Sequence, residues 1–591
     1  MNSRKLTRRP GKWILLLVTL ILVLATMSAG LASPKEVPAS PKGKFSNALA
    51  FDVSPALRDA VQNSAQRAQQ GNPEEVRNVR PERGSVATDS GHSSDAALQG
   101  ASSLSTLAPS SAMSIPGTLA NFEGLSNTDN FNVFGFRVNP PDTVGDVGPN
   151  HYVEMINLVF AVYDKSGNLL LGPAAIGSLW DGFPVTDCTD PSGDPIVLYD
   201  QFVDRWILTQ FTTSGLSDPT KPFYNCVAIS TTGDPTGSYY RYAFETENFQ
   251  FFPDYPKYGV WRDSYVITTR EFGPTIEYGI GVYALDKNKM VNGQPDARSV
   301  SFFIDGNDPT LLPLIGDGLL PADIDGKQKP MNDAAIPLVG TQDDDAAAVY
   351  GGTFDAVNIW DLNVKWRSTP LASLELAAQL PVASFDSIFP CGPSSRDCLP
   401  QPGITNPLQF LDVQSYRQRP IWRLAYRNFK DYETLVTNQS VEAMPGVAGV
   451  RWYEIRRTDG VYSLYQQGTY APGDGVHRWM GSIAQDKMGN MALGYSVVNG
   501  VDVYPGIRYT GRLSGDPLGE MTLGEGTIID GTGVQTTINS RWGDYTSMNI
   551  DPVDDCTFWY ANEYYTAEGQ ATSAAGWQTR IASFKLPGCT P

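Results

Sequence analysis

The chain has 591 residues, which is more than one ordinary domain needs and enough to bury a large core. Acidic residues outnumber basic ones by 63 to 44, and a net charge of −19 argues against nucleic-acid and anionic-lipid partners, because their phosphates would be repelled. With 56 glycines, 43 prolines, 11% aromatic and only 18% charged residues, the composition is typical of an all-β, turn-rich secreted protein and not of coiled coils or helical arrays.

Residues 1–32 have the layout of a Sec-type signal peptide. A basic segment precedes the uncharged stretch WILLLVTLILVLA, and small residues follow, with Gly30 and Ala32 placed for cleavage before Ser33. The alternative is an uncleaved anchor, because residues 13–32 are just long enough to span a bilayer. In both cases the basic end stays in the cytoplasm, so the remainder is predicted to be secreted or held at the cell surface or envelope. Contact with the membrane is expected only through this segment, if it is uncleaved.

Residues 33–120 predict a disordered, low-complexity stalk that carries the rest of the chain away from the membrane or wall. The segment is rich in Ser, Ala, Pro and Gly, and residues 84–115 have too few apolar side chains to order themselves. One short helix is predicted near residues 55–70, with Ser54 as its cap and Pro55 in its first turn.

From residue 121 to the C-terminus the pattern indicates β-strands throughout. Apolar and polar residues alternate in short aromatic-rich runs, as in RWILTQF, SYVITTR and TFWYANEYY. A region of this length is too large for one sandwich or closed barrel. It fits the radial repetition of a β-propeller, which we therefore predict for residues 121–591.

A repeat supports the propeller prediction. An apolar strand, a five-residue turn and an aromatic-rich strand recur in the same order, with the turns at Asp146–Asn150, Asp200–Asp204, Gly259–Asp263, Asp486–Asn490 and Asp551–Asp555. An aspartate that opens such a turn can accept hydrogen bonds from its own backbone, so we interpret each turn as the hairpin between the two inner strands of a blade. Further strand groups at 334–366 and 408–457 give about seven blades, with six or eight as alternatives. Residues 367–407 are predicted to be a long connecting loop.

The six cysteines have no CxxC or zinc-site spacing, and an even number in an exported chain predicts disulfides. Proximity in sequence favours the pairs Cys391–Cys398, Cys188–Cys226 and Cys556–Cys589.

Several blocks resemble a widespread group of secreted bacterial proteins, among them PPDTVGDVGPNHYVEMIN, FPDYPKYGVW, WRLAYRNF and RWGDYTSMNIDPVDDCTFWYANEYY. The resemblance covers residues 122–589 and implies an exported, repeat-built β domain, without implying an activity. A more distant resemblance is to sialidase-type propellers. It is carried by VFGFRVNPPD, in which Arg137 takes the arginine position of their Phe-Arg-Ile-Pro start. Val138 and Asn139 depart from that motif, and the Ser-x-Asp-x-Gly-x-Thr-Trp box of those enzymes does not occur.

Sequence motifs exclude several kinds of chemistry. The chain has three histidines and no HExxH, GxSxG or Walker motif, so we expect no histidine-ligated zinc and no cofactor. Acid-rich loops can bind a structural Ca²⁺, although none has EF-hand spacing. The candidates are DPSGD (190–194), DGND (305–308), DIDG (323–326) and DDD (343–345).

Polar and aromatic residues recur just before or at the start of the strands that lead into the hairpins. They are Asp142, Asp254, Tyr255, Lys257, Arg478, Trp479, Arg541, Trp542, Asp544 and Tyr545. In a propeller these positions converge around the central channel. Arginines and aromatic rings there suit a polar, partly planar ligand such as a sugar or a carboxylate. The alternative is that these residues pair between blades and have only a structural role.

Three functions are compatible with these observations. The repeats, the stalk and the lack of a recognisable catalytic set favour a monomeric extracellular module that binds a glycan or a protein. The second hypothesis is a propeller-type glycoside hydrolase or lyase. In it Asp142, Asp254 and Asp544 would supply acid and base, and Arg478 or Arg541 would hold a substrate carboxylate. The third is a purely structural envelope protein.

Overall fold

The computed structural model describes residues 40–64, 72, 74–78, 94–99, 114–247, 250–273, 279–331, 333–391, 396–413, 418–538 and 541–590. The predicted signal peptide lies outside the described residues. Residues Ser40–Pro591 form one compact unit, and the described chain is all-β with short helices. None of the helices within the described ranges is both long and apolar enough to cross a membrane.

The first described elements precede the main body of the sheets. They are β1 (Lys44–Asn47), β2 (Ala50–Val53), α1 (Leu57–Ser64), β3 (Val76–Asn78), β4 (Ala120–Ser126), α2 (Asn127–Phe134) and β5 (Arg137–Asn139). Helix α2 begins with a capping box, in which the Ser126 side chain accepts from the Asp129 backbone and Asp129 accepts from the Ser126 backbone.

From Val144 onward the chain forms antiparallel runs of four strands, in which each strand pairs with the next. The first run is β6 (Val144–Val147), β7 (His151–Ile156), β8 (Val159–Asp164) and β9 (Leu169–Ala175). The second is β10 (Val197–Asp200), β11 (Arg205–Phe211), β12 (Tyr224–Ser230) and β13 (Tyr239–Glu245), with α3 (Ser214–Ser217) between β11 and β12. The third is β14 (Phe252–Val260), β15 (Ser264–Phe272), β16 (Gly279–Asp286) and β17 (Arg298–Asp305), with α4 (Lys287–Val291) before β17.

The fourth and fifth runs share one eight-stranded sheet, because their first strands pair in parallel. The fourth, preceded by α5 (Leu312–Ile315), is β18 (Leu320–Asp325), β19 (Ile336–Gln342), β20 (Ala356–Lys365) and β21 (Leu371–Pro381), with α6 (Ala347–Tyr350) between β19 and β20. The fifth is β22 (Ile421–Asn428), β23 (Glu433–Met444), β24 (Val447–Thr458) and β25 (Val461–Tyr470).

The sixth run is β26 (His477–Gln485), β27 (Met491–Val498), β28 (Gly506–Arg512) and β29 (Glu525–Ile529). The seventh has three consecutive strands, β30 (Ser547–Ile550), β31 (Thr557–Tyr565) and β32 (Trp577–Lys585), with α7 (Ala567–Thr572) before β32. Its fourth strand is β4, which comes from the other end of the body and pairs antiparallel with β32. Short 3₁₀ helices occupy Ile176–Trp180, Thr186–Thr189 and Pro407–Gln409.

The hydrophobic core lies between neighbouring runs. Each large cluster of buried side chains takes residues from several runs, and bulky residues such as Trp206, Trp360 and Trp577 are almost fully buried in them. Many strands are therefore buried on both faces, including SYVITTREF and TFWYANEYY, whose alternating sequences suggest one exposed face.

The turns of the sequence repeat lie where it predicts them, between the first and second strands of five runs. Asp486 Oδ1 accepts from the backbone N of Met488 (2.8 Å) and of Asn490 (3.0 Å). Asp551 Oδ1 accepts from the backbone N of Val553 at 3.0 Å. Aspartate therefore closes these turns as expected.

Two expectations differ from the structure. The predicted connecting loop 367–407 contains the strand β21, whose side chains are mostly only half-buried, so its apolar signal is weak. At the described positions of 33–120, strands and packed chain replace the predicted disordered stalk: β1 pairs with β17, and β2 pairs with β13. Edge strands are held by backbone hydrogen bonds, so these additions need few apolar residues. The helix predicted near 55–70 begins at Leu57, and residues 65–71 lie outside the described chain.

Three disulfides join the six cysteines in the predicted pairs, with Cα–Cα distances of 6.0 Å for Cys188–Cys226, 4.1 Å for Cys391–Cys398 and 5.7 Å for Cys556–Cys589. Such bonds fit an oxidising, extracellular environment.

Candidate functional site

Six of the ten predicted site residues meet in one buried group, which we call the acid–base cluster. Its members are Asp142, Tyr255, Lys257, Arg541, Asp544 and Tyr545. Each member lies at or just before the first strand of its run, namely β6, β14 or β30. The cluster therefore brings together three runs that are far apart in sequence.

Two aspartates and an arginine form its polar centre. Asp544 Oδ2 accepts from Arg541 Nη2 at 2.7 Å, and the backbone N of Asp544 donates to Asp142 Oδ1 at 2.7 Å. Asn157, in the turn between β7 and β8, donates from Nδ2 to Asp142 Oδ2 at 2.6 Å. Burial and, to a smaller extent, the nearby Asp544 carboxylate raise the pKa of Asp142 to about 7, against the opposing effect of Arg541. Asp142 is thus an acid that can change its protonation near neutral pH.

A third carboxyl, Glu563 on β31, lies beside this pair. The backbone N of Gly543 donates to its Oε1. Burial raises the pKa of Glu563 well above its ordinary value, and Asp142 and Asp544 add to the effect. Sequence analysis missed Glu563, although an acidic residue inside the aromatic strand TFWYANEYY is a signal that could have found it.

Lys257 lies between two aromatic rings. Its Nζ is 2.9 Å from the ring centroid of Tyr255 and 3.5 Å from that of Tyr545. The side chain is 1% exposed, and its Nζ has no hydrogen-bond partner among the described residues. Burial holds the pKa of Lys257 well below its ordinary value, and Arg419 lowers it further, whereas nearby aspartates oppose this.

A bulge in β14 positions the tyrosine and the lysine. The register against β15 shifts between Asp254 and Lys257, and Tyr255 adopts a positive φ of 52°. Pro256, at the centre of this bulge, has no N–H to donate to the ladder. Tyr255 Oη donates to the backbone carbonyl of Asp544 at 3.3 Å, which links β14 to the segment before β30.

Beside Lys257 is a small cavity of about 10 Å³, lined also by Arg270 and Arg419. Asp317 pairs with both arginines, at 2.8 Å to Arg270 and 3.1 Å to Arg419. The Arg419 guanidinium lies 3.9 Å from the ring centroid of Tyr255. Sequence analysis missed both arginines, although Arg419 stands just before β22, at the kind of position that identified the other candidates.

Asp194 extends the cluster to a further run, because it lies just before β10. Its Oδ2 accepts from Tyr545 Oη at 3.3 Å, and its backbone N donates to Asn157 Oδ1 at 2.9 Å. The sequence singled out Asp194 only as part of an acid-rich loop.

The other four predicted site residues lie outside this cluster. Asp254 is half-buried and accepts from the backbone N of Tyr255 at 3.1 Å. Arg478 pairs with Asp474 and Glu525 and so ties the start of β26 to β29. Trp479 and Trp542 pack on each other with ring centroids 5.0 Å apart, and both are fully buried. In this structure neither ring offers a surface for stacking a ligand.

Of the acid-rich loops, residues 343–345 bring three carboxylates within 4.8 Å of one another. Asp343 Oδ2 already accepts from the backbone N of Ser387 at 2.8 Å, and burial raises the pKa of Asp343 to about 7. A structural Ca²⁺ stays a prediction for this loop.

No protein-family profile matches the chain, and no curated protein sequence matches it. Solved structures show weak similarity. The endo-arabinase from Bacteroides thetaiotaomicron VPI-5482 is 13% identical over 53% of this chain and 92% of its own, with a TM-score of 0.25. A PL25 ulvan lyase is 9% identical over 80% and 95%, with a TM-score of 0.35. A Trypanosoma rangeli sialidase mutant displaying trans-sialidase activity is 10% identical over 75% and 59%, with a TM-score of 0.30. Similarity at this level supports no conclusion about activity.

Proposed function

We propose that residues 121–591 form an exported, seven-bladed β-propeller that binds an extracellular glycan or protein at the acid–base cluster. Each run of four strands would be one blade, and β4 would close the ring by completing the last blade. The signal at residues 1–32 would direct export by the Sec pathway.

One observation carries this proposal: side chains from the starts of five runs meet in one place. Asp142 precedes the first run, Asp194 the second and Arg419 the fifth, while Lys257 lies in the third and Asp544 precedes the seventh. Contacts connect all of them through Tyr255, Tyr545 and Asn157. First strands of runs so far apart in sequence can meet in this way if they surround a common axis, as the inner strands of a propeller do.

Unmet hydrogen bonds favour a ligand over a purely structural role. Lys257 Nζ, Asp544 Oδ1 and Glu563 Oε2 are buried, and none has a hydrogen-bond partner among the described residues. Buried polar atoms usually have a partner, and a bound molecule or ordered water at the cluster would supply one to these three.

A glycan-array screen of the purified protein tests the binding proposal. We expect saturable binding that is lost in Asp544→Asn. Asp474→Asn is the matched control, because Asp474 also pairs with an arginine at the start of a run but lies outside the cluster. Binding that is equal in all three proteins would exclude the cluster as the site. The absence of binding to any glycan would overturn glycan binding and leave a protein ligand or a purely structural role.

A propeller-type glycoside hydrolase or lyase is the second candidate, and the protonation of Asp142 favours it. With its pKa raised to about 7, Asp142 could act as an acid beside the arginine-paired Asp544. Release of product from uronic-acid polymers or sialosides tests this function. Asp142→Asn should then lower the rate by about 100-fold or more, with Asp474→Asn unchanged. Activity that survives in Asp142→Asn would assign the chemistry to other residues.

A further inference from the structure

The described side chains that line the cavity beside Lys257 include cationic groups and no acidic group. Three cationic side chains line it, Lys257, Arg270 and Arg419, and none of the other described residues that line it is acidic. Thr268 and Thr269 are also in its wall, so hydroxyl groups lie nearby. Asp317, behind the wall, pairs with both arginines and offsets one of the three positive charges, so an excess of positive charge remains when Lys257 is protonated. Such an excess attracts negative charge.

The ammonium group of Lys257, unpaired within the described chain, is a second, independent observation that favours a bound anion. It is buried against the rings of Tyr255 and Tyr545, and its Nζ has no hydrogen-bond acceptor among the described residues. Leaving an ammonium buried without an acceptor is costly, since burial disfavours the charged form. Lys287 shows the usual arrangement in this same chain, because its equally buried Nζ pairs with Asp200 at 2.5 Å and donates to the carbonyl of Trp261 at 2.9 Å.

Several charged groups face Lys257 from different elements. Arg419, before β22, repels its charge, while Asp194, Asp544 and Asp142, before β10, β30 and β6, attract it. These three aspartates do not line the cavity. They accept hydrogen bonds from Tyr545 Oη, Arg541 Nη2 and the Asp544 backbone, respectively. Of the described groups that act on the charge of Lys257, Arg419 is therefore the one that lines the cavity with it.

The size of the cavity limits what can occupy it. A volume of about 10 Å³ is roughly the room that one water needs. A bulky multivalent anion is excluded, whereas a halide or the carboxylate of a larger molecule fits this scale. The positive wall favours such an anion over a neutral water.

We propose that Lys257, Arg419 and Arg270 form a site for one small monovalent anion, which is either a free halide or a carboxylate carried by a sugar. The anion would accept a hydrogen bond from Lys257 Nζ and would offset the charge that the two arginines place beside it. The sugar carboxylate as occupant rests on the proposed function, whereas the halide as occupant does not.

Thermal unfolding in sodium bromide tests the site, with sodium methanesulfonate at equal ionic strength as the reference, because that salt carries neither a halide nor a carboxylate. We expect a saturable rise in Tm with bromide, because a ligand that binds only the folded state stabilises it. In Lys257→Met the apparent affinity for bromide should fall about tenfold or more, since a charge-assisted hydrogen bond is lost. Lys287→Met is the matched control: it removes a buried lysine that already has a carboxylate, so its bromide response should stay.

Sodium glucuronate and glucose distinguish the two sources of negative charge. A rise in Tm with glucuronate and not with glucose, lost in Lys257→Met, assigns the site to a sugar carboxylate. A response to bromide alone assigns it to a free halide. Equal responses in wild type and Lys257→Met, or no difference between the reference salt and both bromide and glucuronate, would overturn the inference.

A crystallographic measurement covers the case in which Lys257→Met does not fold. Crystals of the wild-type protein soaked in sodium bromide should show an anomalous peak within hydrogen-bond distance of Lys257 Nζ, and an absent peak would overturn the site. Glycan binding that changes neither with bromide nor in Lys257→Met would leave the proposed function intact and overturn this inference. A bromide peak in a protein that binds no glycan would support the anion site and contradict glycan binding.

Discussion

Asp142 is buried beside a like charge, and this environment sets how its charge contributes to stability. Its pKa is about 7 in the folded chain against 3.8 ordinarily, so the folded state holds more protons than the unfolded state between these values. The favourable contribution is complete below about pH 4 and is lost as the pH rises to about 7. Asn at this position does not titrate. We therefore expect the Tm of Asp142→Asn, relative to wild type, to increase as the pH is raised from 4 to 8.

The control for this prediction is Asp474→Asn. Arg478 keeps the pKa of Asp474 below its ordinary value in spite of burial, so the Tm difference of this variant from wild type should not grow over the same pH interval. If both variants show the same trend, the raised pKa of Asp142 is not its cause.

At the residue level, the sequence predicts those features that depend on near neighbours in the chain. The three disulfides and the turn aspartates follow from spacing, and six of the site residues follow from their position before a strand. Glu563, Arg270 and Asp317 were missed because their roles depend on which runs approach one another. The burial of Trp479 and the pairing of Arg478 depend on the same long-range packing.

At the level of elements, the segment before β4 is part of the folded body at its described positions. Asp95 has a fully buried side chain that pairs with the equally buried Arg451 at 2.9 Å and accepts from Thr469 Oγ1 at 2.6 Å. Removing one partner of a buried pair leaves an uncompensated charge. Asp95→Ala should therefore cost about 3–5 kcal/mol of unfolding free energy, measured by denaturant titration.

Glu75→Ala is the matched control in the same segment, because the Glu75–Arg77 pair is about half exposed. Its cost should be about 0–1 kcal/mol. A small loss in Asp95→Ala would instead support the stalk that the composition predicts.

Strand β4 depends on close backbone contact at Gly124. A Cβ there would lie 2.3 Å from Thr579 Oγ1 and 2.5 Å from Glu154 Oε2, and Glu154 Oε2 accepts from the backbone N of Leu125. Gly124→Ala should push β4 away from β32 and destabilise the protein by about 1–3 kcal/mol. Gly117→Ala, where nothing lies within 4 Å of the added carbon, should be nearly neutral. Equal unfolding curves for the two variants would show that β4 does not hold the last sheet together.

At the level of the whole molecule, periodicity is enough to predict an all-β chain with repeated hairpins. It does not predict that β4 would complete the last sheet or that β1 and β2 would add fifth strands, since these pairings join residues hundreds of positions apart. Pairing at the exposed edge of a sheet is made by backbone groups, so strands of many different sequences can add there. Short polar strands such as KFSN therefore carry almost no signal of their own.

Buried carboxyls throughout the body should also make the protein less stable as the pH rises from mildly acidic values to above neutral. Burial raises the pKa of several of them to about 7 or 8, namely Asp142, Asp146, Glu154, Glu271 and Asp343. Above the ordinary carboxyl pKa, each of these groups stays protonated in the folded state but is deprotonated in the unfolded state. The stabilisation of the folded state by this bound proton therefore disappears as the pH rises through these values. We expect Tm to fall between pH 5 and pH 8. Buried Lys257 and Lys287, with lowered pKa values, act in the opposite direction but are fewer.

Ionic strength separates this effect from general repulsion in a chain of net charge −19. Repulsion between exposed charges also grows with pH, but salt screens it, whereas buried groups are screened much less. Thermal unfolding at pH 5 and pH 8 in low and high sodium methanesulfonate, which has neither a halide nor a carboxylate for the proposed anion site, distinguishes the two. A Tm difference between pH 5 and pH 8 that persists in high salt assigns the pH dependence to the buried carboxyls. Salt screens these groups little, so their deprotonation destabilises the folded state at any salt concentration. A difference that vanishes in high salt assigns it to surface charge and contradicts the prediction.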